Sequence, residues 1–151
     1  MELYTIEIKK YRDIFFQTLV PKLVAVIATA ILVNKGVYLL YGFDPGKKLT
    51  LPILLVMAVL AGFHSHYQKK KLAAVQLIDN FGERVEAHQK FYKFRLLWFL
   101  FSCLIGCMIS LLTGRNLFLY FAIFDIVVAL PFYPSLLLFK RELNNEQIMV
   151  V

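Results

Sequence analysis

The chain has 151 residues, of which 60% are hydrophobic and 18% charged, with a formal net charge of +7 and a mean hydropathy of +0.66. Soluble domains hold about 45–50% apolar residues, and a chain this short has too much surface to hide such an excess in one core, so an ordinary soluble fold is excluded. The basic residues sit between apolar runs and not along one amphipathic face, which speaks for membrane topology and against nucleic acid as a partner.

At the N-terminus, Tyr4, Ile8, Tyr11, Phe15 and Leu19 recur at helical spacing beside Lys9, Lys10 and Arg12. This pattern predicts an interfacial helix on an anionic leaflet. Ala28, Thr29 and Ala30 imitate a signal-peptide cleavage site. Apolar residues continue on both sides of them, so an uncleaved first span is expected.

A spanning helix needs about 20 largely apolar residues to cross a hydrocarbon core of about 30 Å. Four stretches meet that length. The first covers about 23–41 and closes at the turn-like Gly42-Phe43-Asp44-Pro45-Gly46. The second covers about 49–67, with Pro52 in its first turn, where the missing N–H has no helical partner to lose. The third covers about 94–113, free of charge after Arg95, and is followed by the short turn Gly114-Arg115-Asn116. The fourth begins near Leu117, carries Asp125, and runs either to about 139 or only to Pro131. In the second case Ser135 would start a surface helix with Leu136, Phe139 and Leu143 on one side.

Between spans two and three, residues 68–93 place Ile78, Phe81, Val85, His88 and Tyr92 on one helical stripe. A helical hairpin turning near Gly82 is preferred over one surface helix. The expected fold is thus a single all-α membrane domain, 1–151: a polytopic four-transmembrane-helix bundle with an N-terminal interfacial helix and a cytoplasmic hairpin.

Basic residues set the orientation. Lys9, Lys10, Arg12 and Lys22, the seven Lys and Arg between Lys69 and Arg95, and Lys140 and Arg141 fall on one side. The other side has Lys47, Lys48 and Arg115, with Lys35 at most a fourth. Basic loops stay in the cytoplasm, so both ends are expected there, in a bacterial inner membrane with anionic lipid on the cytoplasmic side. Tyr38, Tyr41 and Phe43 would mark one interface, and Tyr67, Tyr92 and Trp98 the other.

An ionisable residue within a span costs about 2.5–3.5 kcal/mol on insertion scales, which singles out Asp125 and Lys35. Both lie about eight residues from the outer ends of their spans, hence at matching depth, roughly 12 Å in. They are expected to form an ion pair, together with Asn34, that docks the first span on the fourth. The rival reading makes them an ion or proton path. Small residues four apart, Ala58 with Gly62, Ser102 with Gly106 and Ser110, and Ala122 with Asp125 and Ala129, are expected to let helices approach closely.

His64 and His66 are two apart and point about 200° around a helix, which argues against a shared metal and leaves a proton relay as their candidate role. Cys103 and Cys107 read as buried thiols. Arg84 and His88, with Glu83 and Glu86, read as a solvated, ion-paired face. The chain shows no phosphate loop, nucleophile elbow or zinc-protease motif, so no catalytic residue, metal or cofactor is expected. The leading functional expectation is a non-enzymatic membrane component, either a channel-like homo-oligomer or an accessory subunit of another membrane protein. The alternatives are a membrane-embedded enzyme acting on lipid, and a membrane-perturbing effector regulated through its cytoplasmic hairpin.

Overall fold

A computed structural model of the chain describes residues 4–37 and 46–150. In chain order these form β1 (Tyr4–Ile6), α1 (Ile8–Asn34), α2 (Gly46–Gln76), α3 (Phe81–Thr113), α4 (Asn116–Ala129), a 3-10 turn (Leu130–Phe132), α5 (Leu136–Leu143) and β2 (Ile148–Val150). Apart from one pair of three-residue strands, the regular structure among the described residues is all helical. Among the described residues α1, α2 and α3 are long and apolar enough to cross a membrane, and α4 with its 3-10 turn joins them only when counted together with α5 as one bent segment.

The first span differs from expectation at both ends. There is no separate interfacial helix, because α1 runs unbroken through Pro21 from Ile8 to Asn34. The stripe at its start does not face a leaflet. Tyr11 and Phe15 are buried against α3 and α5, in a core with Tyr92, Leu96, Phe139 and Leu143. At the other end Gly36 takes a left-handed φ of 69°, the Gly36 N–H bonds to Val33 O at 3.0 Å and the Val37 N–H to Leu32 O at 3.0 Å. This paired closure is a Schellman motif, which terminates a helix where glycine supplies the left-handed residue. It stops α1 well short of Tyr41. The expected turn Gly42-Phe43-Asp44-Pro45-Gly46 and the aromatics Tyr38, Tyr41 and Phe43 lie, save for Gly46, outside the described residues.

Helices α2 and α3 are joined across residues 77–80, where Asn80 caps α3 by accepting from the N–H groups of Gly82 (2.9 Å) and Glu83 (3.4 Å). A polar side chain at this position satisfies donors that have no helical partner. At its far end α3 closes on Gly114, left-handed at φ 65°, and α4 packs straight back along it.

The seam between α3 and α4 has small residues at its closest approach. A Cβ on Gly106 would stand 3.1 Å from the Phe118 carbonyl oxygen and 3.3 Å from Ala122 Cβ, and Ala122, Ala129 and Ser110 are buried. Val26 of α1 joins Cys103, Cys107, Leu119 and Ala122 in the core beneath. Ala58 and Gly62 behave differently. Both face outward from α2, and nothing lies within 4 Å of a Cβ built on Gly62.

The fourth stretch is not one straight helix to Phe139. It leaves α-geometry at Leu130-Pro131-Phe132 and turns by 83° into α5, because Pro131 and Pro134 lack the N–H groups a continuous helix needs. Ser135 then caps α5 by accepting from the Leu138 N–H at 3.2 Å. Beyond α5, β2 pairs in parallel with β1, in the register Tyr4↔Ile148, Thr5↔Met149, Ile6↔Val150.

Candidate functional site

Two polar clusters are built into the packed side of α3, one at the start of its apolar stretch and one within it. The first lies where α1, α3 and α5 meet. Glu142 of α5 receives a two-pronged contact from Arg95, Nη1 to Oε1 at 2.8 Å and Nη2 to Oε2 at 3.0 Å, and its Oε2 also lies 2.8 Å from His88 Nε2. Tyr11 of α1 continues the chain with its hydroxyl 3.2 Å from His88 Nδ1. Arg95 is 2% exposed, His88 0% and Glu142 2%, so the group is sealed from water.

Burial works to raise the Glu142 carboxyl, but hydrogen bonds from His88 and Arg95, and the Arg95 charge, hold it down at about 2. The guanidinium also lies against the Phe132 ring, 4.0 Å from its centroid, and among the described residues its Nε has no hydrogen-bond partner. Around this core the C-terminal end of α5 is tied down. Gln76 donates to the Glu142 carbonyl at 3.0 Å and Arg84 to the Leu143 carbonyl at 3.2 Å, satisfying acceptors that a helix C-terminus leaves open. Tyr92 donates to the Phe132 carbonyl at 2.8 Å.

The second cluster lies within the apolar stretch. Asp125 of α4 and Ser102 of α3 line one cavity, and the charge of Lys22 from α1 acts on Asp125. Lys22 is 1% exposed, with its ammonium 5.6 Å from the centre of the Phe99 ring. The stem of a lysine packs well on apolar and aromatic surface, which suits a cation held between helices beside a carboxylate.

The expected pairing of Lys35 with Asp125 is not formed. Lys35 and Asn34 are exposed at the very end of α1, because the Schellman closure at Gly36 puts them at the helix terminus and not eight residues inside it. The structure does not bring Lys35 to Asp125; the lysine whose charge reaches it is Lys22.

His64 is buried, stacked on Trp98 with ring centroids 4.3 Å apart and hydrogen-bonded to Gln68, whereas His66 is exposed on another face of α2. The two histidines are not brought together. His88 and Arg84 are not a solvated face either: His88 is wholly buried and Arg84 bridges to α5. The exposed ion pair on this helix is Glu86 with Lys90, at 2.7 Å.

Lys22, Arg95 and Glu142 were not singled out by sequence reasoning. Glu142 did carry a signal, since it follows Leu138 by four residues and so shares the apolar stripe of an amphipathic helix. A cavity of about 340 Å³ lies beside the second cluster, between α2, α3 and α4. Among the described residues no group of three or more His, Cys, Asp or Glu is placed to hold a metal ion. Comparison with protein-family models, with curated proteins and with solved structures finds no significant match to this chain.

Proposed function

We propose that the chain is a non-enzymatic membrane subunit that crosses a bacterial inner membrane four times, has both ends in the cytoplasm, and acts by joining α2 to further membrane helices. The observation that carries this reading is how little of α2 is covered: 11% of its most apolar window is buried, against 28% in α1 and 33% in α3. Leu51, Leu55, Val56, Val59 and Phe63 face outward together with Ala58 and Gly62. Outward small residues four apart on a membrane helix suit close backbone contact with another helix.

Four crossings are supported by the pairing of β1 with β2, which needs both ends on one face, and by the basic residues gathered on that face. The exposed Lys9, Lys10, Arg12, Lys69, Lys70 and Lys71 suit contact with anionic headgroups. The hairpin formed by the ends of α2 and α3 then lies on the cytoplasmic side. The partner helices come either from further copies, in a channel-like oligomer, or from a different membrane protein served as an accessory subunit.

The test is the mass of the protein extracted in mild detergent with its native lipids, for the wild type and for Ala58→Leu/Gly62→Leu. A homo-oligomer that the double variant dissociates supports the first branch. Co-purification with a different chain, lost in the variant, supports the second. A monomer without partners overturns the proposal.

A further inference from the structure

Near the hairpin, α2 and α3 enclose a groove of about 350 Å³. Tyr67, Lys71 and Ala74 wall it from α2, and Ala87, Lys90 and Phe94 from α3, each set at spacings of three and four that share one helix face. The two helices run antiparallel in a register that their aromatic contacts fix. His64 stacks on Trp98 with ring centroids 4.3 Å apart, and Tyr67 meets Phe94 at 5.9 Å. One further turn along each helix brings Lys71 level with Lys90.

Depth in the bilayer follows from α3. About 20 helical residues cross a hydrocarbon core of about 30 Å, and counted back from the turn at Gly114 they end at Phe94. Lys71 and Lys90 stand four residues past the Tyr67 and Phe94 rings, about 6 Å at about 1.5 Å per residue. The headgroup layer adds about 5–8 Å outside the core on each side, so both lysines are rooted at phosphate depth.

Charge and shape define the occupant. The Glu86 carboxylate takes Lys90 at 2.7 Å, whereas the Lys71 ammonium lies 5.8 Å from the centre of the Tyr67 ring. These three side chains leave one positive charge in excess, which matches the single negative charge of a phosphodiester. Past the lysines, Ala74 and Ala87 leave the groove open for a small headgroup. Toward the core, Phe63 continues the stripe of Tyr67 one turn down and is 72% exposed, a surface for acyl chains.

We infer that this groove binds one anionic phospholipid from the leaflet at this end of the helices, with its phosphate between Lys71 and Lys90 and its headgroup against Ala74 and Ala87. The inference rests on α2 and α3 crossing the bilayer, as proposed above, and not on what α2 associates with.

The test is native mass spectrometry of the detergent-solubilised protein titrated with phosphatidylglycerol or phosphatidylcholine, in about 0.15 M ammonium acetate, where charges further apart than about 8 Å are screened. Wild type should retain one phosphatidylglycerol per chain in preference to phosphatidylcholine. Lys71→Gln/Lys90→Gln should weaken that retention by about thirtyfold. Lys69→Gln/Lys70→Gln removes the same charge from residues that do not line the groove, and should leave it within about threefold. Both pairs are exposed, so folding should survive in each. Ala74→Trp, which fills the groove from its open side and keeps both lysines, should also abolish the retained lipid. Equal losses in the two double variants show a diffuse attraction and overturn the groove. Equal retention of phosphatidylcholine overturns the requirement for an anion, and displacement by soluble glycerol 3-phosphate overturns the choice of a lipid. The same spectra count subunits separately from lipids, so failure of this site and failure of the association of α2 are told apart.

Discussion

Glu142 holds two cationic or potentially cationic partners in a space closed to water, and its loss does not leave a neutral gap. Arg95 cannot shed its proton, so Glu142→Gln leaves a guanidinium buried among Phe91, Tyr92 and Phe132 without its counter-charge. Breaking one side of a buried pair costs about 3–5 kcal/mol. Replacing both members with apolar residues of similar volume, Arg95→Met with Glu142→Leu, should recover most of that. Thermal unfolding followed by Trp98 emission measures both. The sign of the pH effect follows from the carboxyl. Its folded value of about 2 lies below the ordinary 4.5, so the stabilisation is complete above about pH 4.5 and is lost as pH falls toward 2. Wild type should therefore lose melting temperature across that window, and Glu142→Gln should show a flatter profile.

Among the elements, the contact of α3 with α4 is the tightest and the most specific in its demand on one residue. A Cβ at position 106 already meets the Phe118 carbonyl oxygen at 3.1 Å and Ala122 at 3.3 Å, so Gly106→Leu must push the two helices apart. Overpacking of this kind costs typically about 1–3 kcal/mol, and the melting temperature should drop. Gly62→Leu meets open space and should leave the melting temperature of the isolated chain unchanged. Equal losses in both variants would sink this account of the seam.

That seam was legible in the sequence because Gly106, Ser110, Ala122 and Ala129 announce close packing by size and spacing alone. So was α3, whose run after Arg95 contains no charge. The end of α1 was harder to read. Asn34, Lys35 and Gly36 interrupt an apolar run by only three residues, and hydropathy averages over them, while a left-handed glycine ends a helix in a single residue. The β1–β2 pair is three residues per strand and joins positions some 144 apart, so nothing local marks it. Lys22 read as a flanking basic residue because the first span was placed from residue 23 onward, yet α1 passes through Pro21 and carries the lysine inside. Glu142 lies beyond the 83° turn that brings α5 back onto α3, and nothing local in the sequence marks that return.

At the scale of the whole molecule, the terminal strands constrain the number of crossings. Residues 4–6 and 148–150 are hydrogen-bonded to each other, so both lie on one side of any membrane, and the chain between them crosses an even number of times. If α1, α2 and α3 each cross once, as proposed, α4 supplies the fourth crossing. Its 14 residues and three-residue 3-10 turn reach about 27 Å, using about 1.5 and 2.0 Å per residue. That is just short of a core of about 30 Å. By contrast α2 and α3, with 31 and 33 residues, reach about 46 and 50 Å, and their excess projects on the side of the termini. There it forms, with the start of α1, the platform on which α5 lies nearly perpendicular to α4. Cysteines introduced one at a time at Asp79, Asn145 and Gly36, in a background where Cys103 and Cys107 are serine, should label in two groups with a membrane-impermeant maleimide. Asp79 and Asn145 should react only from the cytoplasmic side, and Gly36 only from the other. If Asn145 sides with Gly36, α4 is re-entrant, the strand pairing cannot form in a bilayer, and the packing of Glu142 against Arg95 must fall with it.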